Sequence, residues 1–211
     1  MNLGILDILV IFLITIGPTK AAVFYVGLTA GADRALKRQI AIRTVLTSAV
    51  ICGVFVLIGE GLLGAFHVSL AALKIAGGLI LLLFALHLVL GEEKKEEKLE
   101  GGPRAPSLEI SVYPLAMPLM ASPQGLVAIV TLAAAMRGGG GLLLLLVLVM
   151  VMMAFNLVFL LYADRILGLI GAPILKVVMR VFGLLLCGLA VQLMILGFTD
   201  LGVIAPQPRE H

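Results

Sequence analysis

Six long apolar runs dominate the chain, and short polar stretches separate them. The apolar residues in each run are nearly continuous and lack the alternation that barrel strands show. A helix needs about 20 apolar residues to cross the hydrocarbon core of a bilayer. The pattern therefore predicts an all-α membrane protein with six transmembrane helices. The predicted spans are residues 3–30, 39–59, 68–90, 110–136, 142–163 and 174–198.

A charged stretch divides these spans into two groups of three. Residues 91–109 are rich in Glu, Lys, Gly and Pro, which is typical of a solvated linker. We expect a first three-helix repeat in residues 1–90, this linker on the cytoplasmic side, and a second three-helix repeat in residues 110–211. Because three is an odd number, the second repeat enters the membrane from the opposite side.

The distribution of Lys and Arg predicts the orientation of the chain. Nine of these residues lie in or close to the loops after spans one, three and five, and two lie on the opposite side. The richer side is usually cytoplasmic, so we predict a multi-pass protein of the cell inner (cytoplasmic) membrane with both termini outside. The first apolar run has no basic segment before it and no convincing cleavage site after it, so we expect a retained span rather than a signal peptide.

Composition excludes several classes of protein. Hydrophobic residues make up 62% of the 211 residues and charged residues 13%, whereas a soluble domain is nearer half apolar and a quarter charged. An ordinary soluble enzyme is therefore excluded, and the net charge of +3 is too small for a protein that binds nucleic acid. Sequence motifs of metalloproteases, hydrolases and phosphate-binding loops do not occur, so no enzyme activity, catalytic residue, cofactor or metal site is predicted.

Three features recur in both halves, in the same order and at nearly the same spacing. Each half has a proline motif within its first span, an acidic residue near the end of its second span, and a basic residue in its third span. This arrangement indicates a 3+3 inverted repeat, an architecture common among secondary transporters. The matched residues are Pro18 with Pro123, Glu60 with Asp164, and Lys74 with Arg180.

The two proline motifs lie at the middle of spans one and four. Proline suits the first turn of a new helix, and Ser122 before Pro123 is a good N-cap. We therefore predict that helices one and four are broken near the midplane, where two helix N-termini meet and attract an anion. A pair of simple proline kinks is the alternative, and kinks are what we expect at Pro114 and Pro118.

Lys20 follows the first proline motif and lies near the membrane midplane. A cation at this depth should face protein or water, so we interpret it as the counter-charge of an anionic substrate group. The alternative is a lysine that extends along the helix to the membrane surface. The residues predicted to bind the substrate are Gly17, Pro18, Thr19, Lys20, Ser122, Pro123, Gln124 and Gly125.

Four other ionisable residues match between the halves. The economical interpretation is two structural ion pairs, one in each repeat, and the alternative is a pair of gates that break alternately. These residues are Glu60 with Lys74, and Asp164 with Arg180. Asn156 and the hydroxyl residues within spans are expected to form hydrogen bonds between helices.

Two sequence runs resemble signatures of the MarC family of integral membrane proteins. Residues 66–78 read FHVSLAALKIAGG and residues 114–123 read PLAMPLMASP. The resemblance spans all six predicted helices and implies a bacterial inner-membrane protein, some of whose relatives are described as transporters of small neutral amino acids. Many family members have Asp-Pro-x-Gly-Asn at the first break, where this chain has Ile-Gly-Pro-Thr-Lys, with Ile in place of Asp and Lys in place of Asn. At the second break they commonly have Gly-Pro-Gly, where this chain has Ser-Pro-Gln. The difference makes the site more positive, which implies a more anionic substrate or a different bound ion.

These observations predict a secondary-active transporter of small carboxylate-bearing solutes that works by alternating access. The resemblance makes small amino acids the first choice. The predicted partners are a small anionic or zwitterionic solute and the lipid bilayer, and no nucleic acid is expected to bind. Homo-oligomers are compatible with the sequence, which does not determine the oligomeric state. Sodium and protons both stay open as the coupling ion. Two alternatives remain: a carrier of anionic or phosphate-bearing lipid, and a membrane scaffold that transports nothing.

Overall fold

The computed structural model describes residues 4–90, 107–136, 139–167 and 172–204. These residues are almost entirely helical, and no strand occurs among them. A short segment, Leu108–Met120, is irregular and is called the irregular segment below. The regular helices are α1 (Ile5–Thr15), α2 (Pro18–Leu28), α3 (Arg34–Ala65), α4 (Leu70–Leu90), α5 (Pro123–Ala135), α6 (Gly139–Leu167) and α7 (Ala172–Asp200).

The helices are long and apolar enough to cross a membrane. Within the described ranges, five spans meet this condition, with α1 and α2 counted together as Ile5–Leu28. The irregular segment and α5 meet at an angle of 57° and give a sixth span if they are taken as one. The expectation of an all-helical protein with about six spans is confirmed at this level. The predicted linker, residues 91–109, lies outside the described residues except at its last three positions.

Two short helices, α2 and α5, lie at the centre of the molecule. Eight of the 11 residues of α2 and eight of the 13 residues of α5 are buried. The helix α2 packs against α6 and α7, while α5 packs against α3 and α4. The long outer helices expose many apolar side chains, as expected where lipid is the solvent.

The closest pair of outer helices is α4 with α7. A Cβ atom added at Gly78 would lie 2.5 Å from Met194 Cγ, and one at Gly197 would lie 2.6 Å from Ile75 Cγ1. Small residues let two helix backbones approach closely in a membrane. These glycines therefore allow the close packing of α4 on α7.

The irregular segment follows from its two prolines. Tyr113 and Met117, the residues just before Pro114 and Pro118, both have extended backbone angles. A proline ring clashes with a helical conformation of the preceding residue and favours such angles. The simple kinks expected at these prolines are therefore replaced by two extended interruptions within one segment.

Candidate functional site: the junction of two proline motifs

The first proline motif lies between α1 and α2. The helix α1 ends at Thr15, Gly17 has an extended backbone, and Pro18 begins α2. A side chain at position 17 would have no room, because its Cβ atom would lie 1.9 Å from the carbonyl oxygen of Leu13. Since Pro18 has no amide hydrogen, the carbonyl groups at the end of α1 need hydrogen-bond donors from elsewhere.

The second proline motif forms the start of α5. Ser122 is the N-cap, and its hydroxyl oxygen accepts a hydrogen bond from the backbone N–H of Gly125 at 3.2 Å. Pro123 occupies the first helical position, where its missing N–H costs nothing. Pro123 also packs against α4, since a Cβ atom added at Gly77 would lie 2.6 Å from Pro123 Cβ.

The two proline motifs are in direct contact. The hydroxyl of Ser122 donates a hydrogen bond to the carbonyl oxygen of Thr15 at 2.7 Å, across 107 positions of the chain. A Cβ atom added at Gly125 would lie only 2.1 Å from Ile16 Cγ2, so the start of α5 lies against the end of α1. The structure therefore brings together residues that the sequence analysis placed in one site. We call this buried region the junction.

Lys20 points into the junction. Its side chain is buried, with 7% exposure, and its ammonium donates to the same Thr15 carbonyl oxygen at 3.1 Å. Among the residues that the structure describes, no carboxylate forms an ion pair with Lys20. An ammonium has three donors, so the single hydrogen bond to Thr15 leaves it able to bind a further acceptor.

Asn156 of α6 completes the junction, and the sequence analysis did not include it among the site residues. Its side-chain nitrogen donates to the carbonyl oxygen of Ile16 at 2.8 Å, and the residue is fully buried. Its side-chain oxygen Oδ1 has no hydrogen-bond partner in the described part of the chain. The signal that could have identified it is its isolation, since a long run of apolar residues surrounds it in the sequence.

The other predicted contact residues are placed less centrally. Gly17, Pro18 and Pro123 are buried and form the backbone of the junction. Thr19 is exposed and Gln124 is half-buried. The structure therefore does not bring the Thr19 side chain into the buried junction.

The predicted ion pairs are distributed differently. Lys74 of α4 donates to Asp200 at the end of α7 at 2.5 Å, so its partner is Asp200 rather than the expected Glu60. Glu60 instead lines a cleft of about 310 Å³ between α3, α4 and α5. Arg180 is exposed, and the side chain of its expected partner Asp164 lies outside the described residues. The spacing of charges in the sequence did not indicate that α4 and α7 are neighbours.

A second set of polar side chains lies close to backbone carbonyl groups of the irregular segment. Thr44 of α3 donates to the carbonyl oxygen of Ser111 at 3.1 Å, and Ser48 lies 3.5 Å from the carbonyl oxygen of Ala116. Carbonyl groups without helical partners are costly in lipid, and neighbouring helices commonly supply the donors. The helix α3 thus provides side-chain donors to carbonyl groups before α5, as α6 provides one to the carbonyl of Ile16 before α2.

Comparison with known proteins gives one family. The model of MarC family integral membrane proteins matches residues 3–201. A UPF0056 membrane protein of Methanocaldococcus jannaschii is 32% identical over 86% of this chain and 89% of its own length. The UPF0056 inner membrane protein MarC of Escherichia coli is 26% identical, with 92% and 93% covered. The UPF0056 membrane protein YvbG of Bacillus subtilis is 26% identical, with 79% and 81% covered. No solved structure matches the chain.

Proposed function

We propose that this chain, which belongs to the MarC family of integral membrane proteins, is a secondary-active transporter of small carboxylate-bearing solutes. Small amino acids are the first substrates to test. The junction is the proposed binding site, and the solute reaches it alternately from the two sides of the membrane.

The observation that carries this proposal is the position of Lys20. Its buried ammonium has no carboxylate partner among the described residues and lies at the junction, where the first turn of α5 meets the end of α1. A cation near the centre of a membrane costs on the order of 3 kcal/mol, and a bound anion would offset much of that cost. The N-termini of helices carry partial positive charge, so they favour the same kind of ligand.

The packing of the helices supports an inverted repeat with discontinuous helices. In the first repeat α2 would correspond to α5 in the second, α3 to α6, and α4 to α7. The main contacts between the two sets of helices then have counterparts: α2 packs on α6 and α7, α5 packs on α3 and α4, and the equivalent pairs α3–α6 and α4–α7 also touch. Secondary transporters built this way bind their substrates between the repeats, at interrupted helices.

A second candidate is a membrane scaffold that transports nothing. The hydrogen bonds of Lys20 and Ser122 to the Thr15 carbonyl favour it, because both side chains already satisfy backbone at the end of α1. In that case the charge of Lys20 would matter for stability and for nothing else.

Uptake of labelled alanine into proteoliposomes separates the two candidates. We expect the wild type and Lys20→Arg to take up alanine. The variant Lys20→Met should lose about tenfold or more of the rate, because a hydrogen bond to a charged group contributes about 1.5–3 kcal/mol. The control Arg38→Met removes an exposed cation on α3 and should retain the wild-type rate.

Gradients of sodium and of protons, imposed separately, identify the coupling ion in the same experiment. If the wild type takes up no amino acid under either gradient, the transporter proposal is wrong. If Lys20→Met is folded and transports as the wild type does, Lys20 does not bind the solute.

We also propose an inner-membrane location with both termini outside and the linker of residues 91–109 in the cytoplasm. The excess of Lys and Arg in the loops after spans one, three and five supports this orientation. A cysteine placed at residue 95 should be protected in intact cells from a maleimide that cannot cross membranes. Labelling of that cysteine in intact cells would mean that the linker lies outside and that the orientation is the opposite of the one proposed.

A further inference from the structure

One polar atom of the junction has no hydrogen-bond partner among the described residues. The amide of Asn156 donates through its nitrogen to Ile16, and this bond fixes which end of the amide is oxygen. Exchanging the two ends would place an oxygen against the Ile16 carbonyl. The oxygen Oδ1 is then a buried acceptor without a donor in the described part of the molecule.

Such an acceptor calls for an external donor. Most buried polar side-chain atoms in folded proteins have a partner, and an exception indicates a ligand, an ion or a water at that point. The other polar side chains of the junction do not supply one. Lys20 and Ser122 both donate to the Thr15 carbonyl, and Asn156 itself holds the next carbonyl along the chain.

Lys20 and Asn156 are neighbours at the junction, which favours a small ligand with two adjacent polar groups. Lys20 and Asn156 bind consecutive carbonyl groups, which belong to residues whose Cα atoms are about 3.8 Å apart. An acid with a donor group on its α-carbon also carries its anionic and donor groups next to each other. One end could therefore face the ammonium of Lys20 while the other faces Oδ1 of Asn156.

We propose that Asn156 Oδ1 accepts a hydrogen bond from a donor on the α-carbon of the ligand whose carboxylate binds at Lys20. This inference rests on the proposed function and narrows it to α-amino and α-hydroxy acids. Simple carboxylates such as propionate lack such a donor beside the anionic group at neutral pH, so Asn156 selects against them.

The test uses three ligands of nearly equal size that differ at the α-carbon. Alanine carries an ammonium, lactate carries a hydroxyl, and propionate carries hydrogen alone. Binding to the purified wild type in detergent is measured by titration calorimetry. We expect propionate to bind about tenfold or more weakly than alanine, since a site built to hydrogen-bond a ligand group rejects the analogue that lacks it. Lactate binding close to alanine would mean that Oδ1 accepts any donor, and lactate binding close to propionate would mean that it requires the ammonium.

The variant Asn156→Leu removes the acceptor and keeps a similar volume. It should bind the three ligands with nearly equal affinity, near that of propionate for the wild type. Thr131→Val, a change of similar type at an exposed position of α5, should keep the wild-type order. Because Asn156→Leu also removes the bond to Ile16, the comparison of ligands on the wild type stands alone if this variant does not fold.

The outcomes separate the inference from the function on which it rests. If propionate binds the wild type as tightly as alanine, Asn156 accepts no hydrogen bond from the ligand and the inference is wrong. The proposed carboxylate site at Lys20 would not be contradicted by that result. A folded Asn156→Leu that weakens all three ligands equally also overturns it, because the residue then only supports the backbone. If no ligand binds the wild type, the proposed function fails together with the inference.

Discussion

Contact between the two proline motifs predicts a large effect for one methyl group. In Gly125→Ala the new Cβ atom would lie 2.1 Å from Ile16 Cγ2. Because carbon atoms in contact lie about 3.5–4.0 Å apart, the two must separate by roughly 1.5 Å. Ile16 is fully buried and its branched side chain has few alternative rotamers, so α5 itself must move away from the end of α1.

The expected cost follows from measurements on other cores. Adding a methyl group to a well-packed interior destabilises proteins by about 1–3 kcal/mol. At about 2–4 °C per kcal/mol for a chain of this size, the melting temperature of Gly125→Ala in detergent should fall by several degrees. The same shift would lengthen the bond from Ser122 to Thr15, so ligand binding at the junction should weaken as well.

A control and a double mutant make this prediction refutable. Gly61→Ala, in α3, meets no atom within 4 Å and should be neutral or slightly stabilising, because alanine favours helix over glycine by up to about 1 kcal/mol. Ile16→Ala removes the clashing methyl group, so the double mutant with Gly125→Ala should be more stable than the sum of the two single effects. If Gly125→Ala behaves as Gly61→Ala does, or if the two effects simply add, the packing of α5 on Ile16 is wrong.

Two further changes test the polar contacts. Ser122→Ala removes both the α5 cap and the hydrogen bond to Thr15 and should cost about 1–2 kcal/mol of stability. The control Thr131→Ala loses a hydrogen bond within its own helix at an exposed position, so its stability should stay within about 0.5 kcal/mol of the wild type. Thermal unfolding in detergent measures both variants, and equal stabilities would contradict the prediction. Lys74→Ala and Asp200→Ala should each cost less than about 1 kcal/mol of stability, because the ion pair is partly exposed. The double mutant should be no less stable than the less stable of the two single mutants. If the two losses of stability simply add, the two residues do not interact.

The sequence was sufficient for the parts of this fold that depend on local chemistry. Long apolar runs predict spans because lipid requires helices of a set length. The cap at Ser122 and the start of α5 at Pro123 were predictable for the same reason, since both depend on a few neighbouring residues. The extended residues before Pro114 and Pro118 follow an equally local rule, although the sequence analysis expected simple kinks there.

Contacts between distant residues were less accessible. The pairing of Lys74 with Asp200 joins residues 126 positions apart and depends on the packing of α4 against α7. The role of Asn156 depends on which helix faces Ile16, and the pattern of α6 does not indicate this because nearly all its residues are apolar. The meeting of the two proline motifs was predictable only through the apparent repeat, a relation between halves rather than a local signal.

Buried polar side chains in this protein divide into two kinds. Among the described residues, six buried hydroxyl residues each donate to a backbone carbonyl, and these are Thr15, Thr29, Thr44, Ser48, Ser111 and Ser122. In lipid that is the ordinary task of a buried polar group, and it needs no ligand to explain it. Lys20 and Asn156 do the same with one donor each, but each retains something that this task leaves unused: a positive charge in Lys20 and an acceptor oxygen in Asn156. Because the unused charge and the unused acceptor lie beside consecutive carbonyls, a single small ligand is the simplest way to satisfy both.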